Sequence, residues 1–181
     1  MAKGRRPYAQ GALDGLCGCY AIVNAVAALR GEALTEAQAE LLFKRLVQAI
    51  ADKFPAAIWD GTGVPDIRRM VDAADRHARR TYGFGVTRRE PFRATKFRGV
   101  ARYYAGLAAE LDDGPRVAVV GLAEPWGHWT LVTQATRDTL VFTDSIDLKH
   151  ARLADAALSK RGEKPFQIDQ HQTFVLERVE R

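Results

Sequence analysis

From Leu16 to Leu29 the chain reads LCGCYAIVNAVAAL, with no charge before Arg30. A helix apolar nearly all round is buried on most sides, so residues 16–30 are predicted to form a central helix, ended by Gly31. Thr35 then opens a second helix. Gln38, three residues on, completes a capping box, and Leu41, Leu42, Leu46, Ile50 and Phe54 supply the apolar stripe. The stretch WDGTGVPD, residues 59–66, is a turn cluster. It leads into a third helix near 65–80, with Ile67, Met70, Val71 and Ala74 on one side. Residues 81–97 are basic and irregular, with room for a short strand. A fourth helix runs from Gly99 to Leu111, carrying Val100, Tyr103, Tyr104 and Leu107, and ends at Asp112-Asp113-Gly114.

The period then changes. RVAVVGLA (116–123) is a β-branched run, HWTLVTQA (128–135) alternates, and TLVFTD (139–144) and QTFVLERV (172–179) follow. Helices first and strands afterwards predict an α+β fold, a helical part packed against a C-terminal antiparallel β-sheet. No repeat or Pro/Gly/Ser-rich linker divides the 181 residues, so 1–181 reads as one domain.

Composition changes this picture little. Apolar residues make up 47% and charged residues 27%, as in ordinary soluble domains. The net charge of +5 is unevenly spread. Between Arg68 and Arg102 eleven Arg and Lys stand against three acidic residues. Such a band suits an acidic partner or phosphates, but a solvated arginine-rich face is the favoured reading. No zinc-finger, helix-turn-helix or RNA-reading signature accompanies it, so nucleic acid is not the expected partner. Two cysteines at CxC spacing make a poor disulfide. A reducing compartment, and hence a cytoplasmic location, is expected. The opening MAKGRR and the apolar stretch after it imitate a secretory signal. Asp14 and Asn24 interrupt that stretch, and cleavage there would discard both thiols. No run approaches the ~20 apolar residues of a membrane span, so no membrane partner is expected. Oligomeric state has no signature here. Ala and Arg richness points to a GC-rich bacterial source.

The candidate chemistry starts at Cys17. Helix N-termini carry unpaired N–H groups and the positive end of the macrodipole, and a cysteine there with an imidazole nearby is a candidate thiolate. The preceding Asp14-Gly15 turn is expected to expose it. Nucleophilic chemistry needs a base, and the base an orienting group. His77 sits in an arginine-rich helix and is expected to be solvated. His150 and His171 lie in polar surroundings. His128 differs, opening an apolar strand between Trp126 and Trp129 after Gly127. Asp144 lies 16 residues on, at the end of the next strand. Antiparallel pairing of the two strands brings His128 and Asp144 together, leaving the other ring nitrogen for Cys17. A zinc site built on Cys17, Cys19 and a histidine is the chemical rival, but structural zinc favours four ligands and CxxC spacing. The Gly83-Phe84-Gly85 stretch lacks the strand-to-helix context of a phosphate loop.

A glutamine, then Cys-Gly at the start of a buried helix, then Gly-His-Trp on a strand, then Asp at the end of the next strand resembles the papain-like cysteine peptidases. The likeness is greatest to the compact branch of bacterial peptidases that trim double-glycine leaders, which WDGTGVPDIRRMV also resembles. The Josephin deubiquitinases show a similar motif order. The resemblance implies Cys17 as nucleophile, His128 as general base and acid, Asp144 as its orienting group, and Gln10 with the Cys17 N–H as oxyanion donors. Six residues separate Gln10 from Cys17, where the family more usually has four or five, so Gln10 is the least secure of the four. Cys19, in Cys-Tyr-Ala, is the competing nucleophile. Two residues along a helix turn about 200°, so both thiols cannot face His128, and Cys17 is preferred. The implied activity is hydrolysis of a peptide or isopeptide amide without metal or organic cofactor. The implied partner is a peptide or protein substrate, bound through an extended tail. Acyl transfer at the same site and a catalytically silent binding module using the basic band are the alternatives.

Overall fold

The computed structural model describes residues 7–11, 14–158 and 163–180. The MAKGRR opening lies outside them. Among these residues five α-helices run as α1 (Cys17–Arg30), α2 (Glu36–Ala49), α3 (Ala56–Asp60), α4 (Val64–Thr81) and α5 (Val100–Asp112). The strands are β1 (Gly85–Arg89), β2 (Arg116–Leu122), β3 (His128–Ala135), β4 (Thr139–Thr143), β5 (His150–Arg152), β6 (Ala156–Ala157) and β7 (Phe166–Val179). They pair in the order β1-β7-β2-β3-β4-β5, every neighbour antiparallel. The short β6 adds a parallel pair at the start of β7. The architecture is α+β, with N-terminal helices packed against a C-terminal antiparallel sheet.

The first helix forms where its apolar run places it. Its end is set by Gly31, whose φ of 80° lets its N–H close back on the Ala28 carbonyl. The Thr35–Gln38 capping box is complete. The Gln38 N–H donates to Thr35 Oγ1 at 3.2 Å and the Thr35 N–H to Gln38 Oε1 at 2.9 Å. The α2 stripe is narrower than its sequence suggests, since Leu42, Leu46 and Ile50 are buried while Leu41 faces outward. Trp59 and Asp60 belong to α3, so the turn cluster contracts to Gly61–Gly63.

Both faces of the sheet are covered. Val117 and Val119 of β2 pack with Trp129, Leu131, Phe174 and Leu176 beneath α1, α2 and α4. The alternate residues Ala118 and Val120 pack with Val132, Val175, Tyr103, Tyr104 and Leu107 beneath α5. A strand buried on both sides needs no polar alternation, and this is why β2 reads as a continuous apolar run. The fourth predicted helix, α5, lies on the sheet face opposite α1. The short strand allowed for within 81–97 is β1, and pairing also extends past the sequence pattern through β5 and β6.

The close approach of α1 to α4 depends on Gly18. A Cβ there would run into Thr62 Oγ1 and stand 2.7 Å from Ile67 Cδ1. Just before the helix, a Cβ on Gly15 would lie 2.9 Å from the Gly61 backbone nitrogen. The two glycines seat the start of α1 against the Gly61–Gly63 turn.

Candidate active site

The entry to α1 is held from several sides. Asp14 Oδ1 accepts from the Leu16 N–H at 3.0 Å, an Asx-type turn, and the Gly15 N–H donates to the Ile58 carbonyl at 2.6 Å. Cys17 is therefore the first residue of the helix. Its own N–H has no acceptor among the described residues, as expected at a helix start. The side chain is not exposed as the turn suggested. Cys17 is only 5% accessible, because β3 closes over the sulfur and the Trp129 N–H points at it from 3.4 Å. The Trp129 indole N–H donates to the Thr62 carbonyl at 2.7 Å, fixing β3 to the turn before α4.

His128 opens β3 opposite Leu122, and Asp144 follows directly on β4, which pairs with β3 through Leu131 and Thr143. The register brings the two side chains together, His128 Nε2 to Asp144 Oδ2 at 2.8 Å. Asp144 Oδ1 accepts from the N–H groups of Ile146 at 2.8 Å and Leu148 at 3.3 Å, so the carboxylate is fixed from both ends. Cys17 lies near enough to the ring to favour its charged form together with Asp144, and with Nε2 taken by Asp144 the other ring nitrogen is Nδ1. The Cys17 thiol itself stands 3.8 Å from the Gly15 carbonyl.

The electrostatics follow from this sandwich. His128 and Asp144 are 6% and 2% accessible. Burial opposes the imidazolium, but the hydrogen bonds and charges of Asp144 and Cys17 outweigh it and hold His128 at about 9. Burial also pushes the Asp144 carboxyl upward. The His128 hydrogen bond and charge, with the Ile146 N–H, overcome this and keep it below the usual carboxylate range.

Gln10 arrives on the Asp144 side. Its N–H donates to the Ser145 carbonyl at 3.0 Å, and its Oε1 accepts from Ser145 Oγ at 3.4 Å. Its side-chain amide donates to the Asp14 carbonyl, within the loop leading to Cys17. The segment carrying Gln10 is tied to α1 by buried Asn24. The Asn24 side chain accepts from the Tyr8 N–H at 2.9 Å and donates to the Tyr8 carbonyl at 3.3 Å.

Cys19 points elsewhere. Its thiol contacts Met70 Sδ at 3.3 Å in the core, and burial, with the neighbouring Cys17 and acidic charges, pushes it up to about 12. A free cysteine so placed is a small hydrophobe. Of the remaining histidines, His150 and His171 are exposed. His77 is not solvated as expected. It is 9% accessible, because its side of α4 packs toward α2. No cluster of three or more His, Cys, Asp or Glu among the described residues is placed to hold a metal ion.

Beside His128 and Trp129 lies a depression of about 290 Å³, floored by Leu122 and Ala123 and edged by Thr62, Gly127, Asp169 and Gln172. Asp169 is buried there and accepts from the Gln172 side chain at 3.2 Å. Asn24, Ser145, Asp169 and Gln172 carried no signal in the sequence, since each is brought to the site by pairing across distant segments. Trp129 was visible beside His128, but the role of its backbone N–H was not.

No protein-family model matches the chain, and no curated protein does. Among solved structures, the chain is similar to the peptidase domain of Streptococcus ComA, a bi-functional ABC transporter involved in a quorum sensing pathway. The identity is 12%, the TM-score 0.49, and the likeness covers 96% of this chain and 97% of that one. Among the described residues, no helix is long and apolar enough to cross a membrane.

Proposed function

We propose that the protein is a cysteine hydrolase acting on a peptide or isopeptide amide, with Cys17, His128 and Asp144 as its catalytic groups. The observation that carries this reading is one buried imidazole bonded to Asp144 at 2.8 Å, on the residue next to Trp129, whose backbone N–H points at Cys17 Sγ from 3.4 Å. Core histidines satisfied by a carboxylate do not usually stand beside a thiol at a helix start.

In the proposed reaction His128 Nδ1 takes the Cys17 proton. The Trp129 N–H, aimed at the sulfur, supports the thiolate. The sulfur attacks the amide carbonyl and forms the S–C bond. The oxyanion is received by the unpaired Cys17 N–H and by the Gln10 amide, which has a second N–H besides the one given to Asp14. The C–N bond then breaks as His128 returns the proton to the leaving amine. Water, deprotonated by His128, attacks the thioester and frees the acid and the thiolate. Asp144 keeps the ring oriented and stabilises its cationic form. The depression beside His128 receives a substrate side chain, and Asp169 and Gln172 give it a polar edge. The substrate is accordingly an extended peptide segment, one residue of which enters this depression.

The test is capture of the thioester. The protein is incubated with a peptide library at mildly acidic pH, quenched with acid, and mapped by mass spectrometry. The reading requires an acyl adduct on Cys17 that is released by hydroxylamine and does not form in His128→Ala. Absence of any Cys17 adduct, with intact folding, would contradict it.

A further inference from the structure

Five of the eleven cations of the basic band are paired with carboxylates within the fold. Arg68 pairs with Glu90 at 2.6 Å, Arg69 with Asp52 at 2.8 Å and Asp66 at 3.2 Å, and Arg79 with Asp75 at 2.9 Å. Arg88 pairs with Asp72, and Arg89 with Glu110 at 2.8 Å. Arg76 and Arg80 are different. Neither has a carboxylate partner among the described residues, although they stand one turn apart on α4. Like charges at that spacing repel. A third cation joins them across the gap from α2, where Arg45 is engaged only by the Gln48 side chain at 3.0 Å.

The three guanidiniums line one concave groove between α2 and α4, of about 450 Å³, within the range of small-molecule sites. Leu41, Ala49 and Ala73 contribute apolar wall, and no carboxylate lines the groove. At its wall is His77, nine-tenths buried, whose Nε2 has no hydrogen-bond partner. Burial and the charge of Arg45 both push the His77 ring toward its neutral form, so it adds no carboxylate-like or cationic group of its own to the groove.

We propose that the α2–α4 groove binds a small phosphate-bearing polyanion, clasped by Arg45, Arg76 and Arg80, with His77 in the wall behind them. Guanidinium forks match phosphate oxygens and give paired charge-assisted bonds. The chemistry favours a small ligand over a nucleic acid strand. The neighbouring arginines Arg69 and Arg79 are already paired with carboxylates, so the uncompensated positive charge on α4 is confined to the groove rather than spread along a track. This site is independent of the proposed catalytic centre, which lies at the opposite end of α4, next to the Gly61–Gly63 turn.

The test is calorimetric titration of the full chain with inorganic pyrophosphate at fixed ionic strength, alongside inorganic phosphate and a single-stranded oligonucleotide. Saturable binding of one pyrophosphate per chain is expected, tighter than phosphate. Arg76→Gln/Arg80→Gln and, separately, Arg45→Gln should weaken it by about tenfold or more. Their melting temperatures should hold, because these side chains are exposed and unpaired with carboxylates. Arg93→Gln, outside the groove, should leave binding unchanged. The His77 imidazole ¹⁵N signal should shift on titration. Lack of saturable binding, equal binding by the groove variants, a stationary His77 signal, or binding of the oligonucleotide alone would each overturn the proposal.

Discussion

The backbone N–H of Trp129 points at Cys17 Sγ from 3.4 Å, while the ring of the residue before it, His128, bonds Asp144 at 2.8 Å. Two consecutive residues at the start of β3 thus tie the thiol and the carboxylate to one strand, one through the main chain and one through the side chain. The arrangement is rigid because the Trp129 indole is fixed to Thr62 and the His128 ring to Asp144. A side-chain substitution at 129 leaves the N–H in place but frees β3 from the turn before α4. Trp129→Phe should therefore lower the rate of Cys17 alkylation moderately, by about the 10-fold that one lost hydrogen bond implies, and His128→Ala should lower it far more. Rates of iodoacetamide labelling on the two variants check this order.

If the amide-hydrolase reading holds, Asp144→Asn should retain the fold and lose turnover. An asparagine still accepts from the Ile146 N–H but no longer stabilises the imidazolium. A fall in kcat on the order of 10²–10⁴-fold is expected, measured on the peptide identified by acyl capture, with KM changed much less.

The two cysteines should separate cleanly. Cys19→Ala removes a small buried group from the Met70 contact and should cost about 1–2 kcal/mol of stability, leaving Cys17 reactivity unchanged. Gly18→Ala should be worse for the fold. Its Cβ meets Thr62, Ile67 and Met70, which forces α1 off α4 and costs about 1–3 kcal/mol. Urea unfolding with parallel alkylation distinguishes the two effects.

Asn24→Ala leaves the Tyr8 N–H and carbonyl without partners and loosens the segment that carries Gln10. A stability loss of about 1–3 kcal/mol follows from the unpaired groups. Turnover should fall with it, while labelling of Cys17 persists, because in the proposed reaction Gln10 serves the oxyanion rather than the thiol. Gln10→Ala should show the catalytic loss, on the order of 10²-fold in kcat, without the loss of stability.

The stability of the protein should depend on pH through the His128–Asp144 pair. His128 is raised from its ordinary 6.5 to about 9 in the fold. Its contribution is therefore complete below about 6.5 and is lost as pH rises through about 9. Asp144 is depressed. Its contribution is present above the ordinary carboxylate range and is lost as pH falls through its lowered folded value. Urea midpoints taken from acid to alkaline pH should form a plateau with both flanks. In His128→Gln the alkaline flank should flatten.

Much of this arrangement was legible in the sequence. The charge-free run at 16–29 placed α1, Thr35 and Gln38 set the start of α2, and the period-2 run from His128 fixed which end of β3 faces Asp144. The illegible parts have a common cause. His77 looked solvated because its sequence neighbours are arginines, yet burial is decided by α2 across the groove. Cys17 looked exposed because a turn precedes it, yet β3 covers it from 112 residues away. Asn24 looked like an interruption in an apolar helix, and only the fold shows the Tyr8 backbone it serves. β5 and β6 are three and two residues long, too short to carry a period. The capping and packing signals were local and could be read. The pairings that complete the site join segments far apart in the chain.

The central claim is that Cys17 and His128 form a working thiol–imidazole pair. Iodoacetamide labelling at graded pH, read by intact mass and peptide mapping on the wild type and His128→Ala, tests it most directly. Cys17 alone should label rapidly below pH ~7, where an ordinary thiol is almost fully protonated, and His128→Ala should abolish this while remaining folded. Labelling of neither cysteine until the protein unfolds, or equal labelling of Cys17 in both proteins, would contradict it.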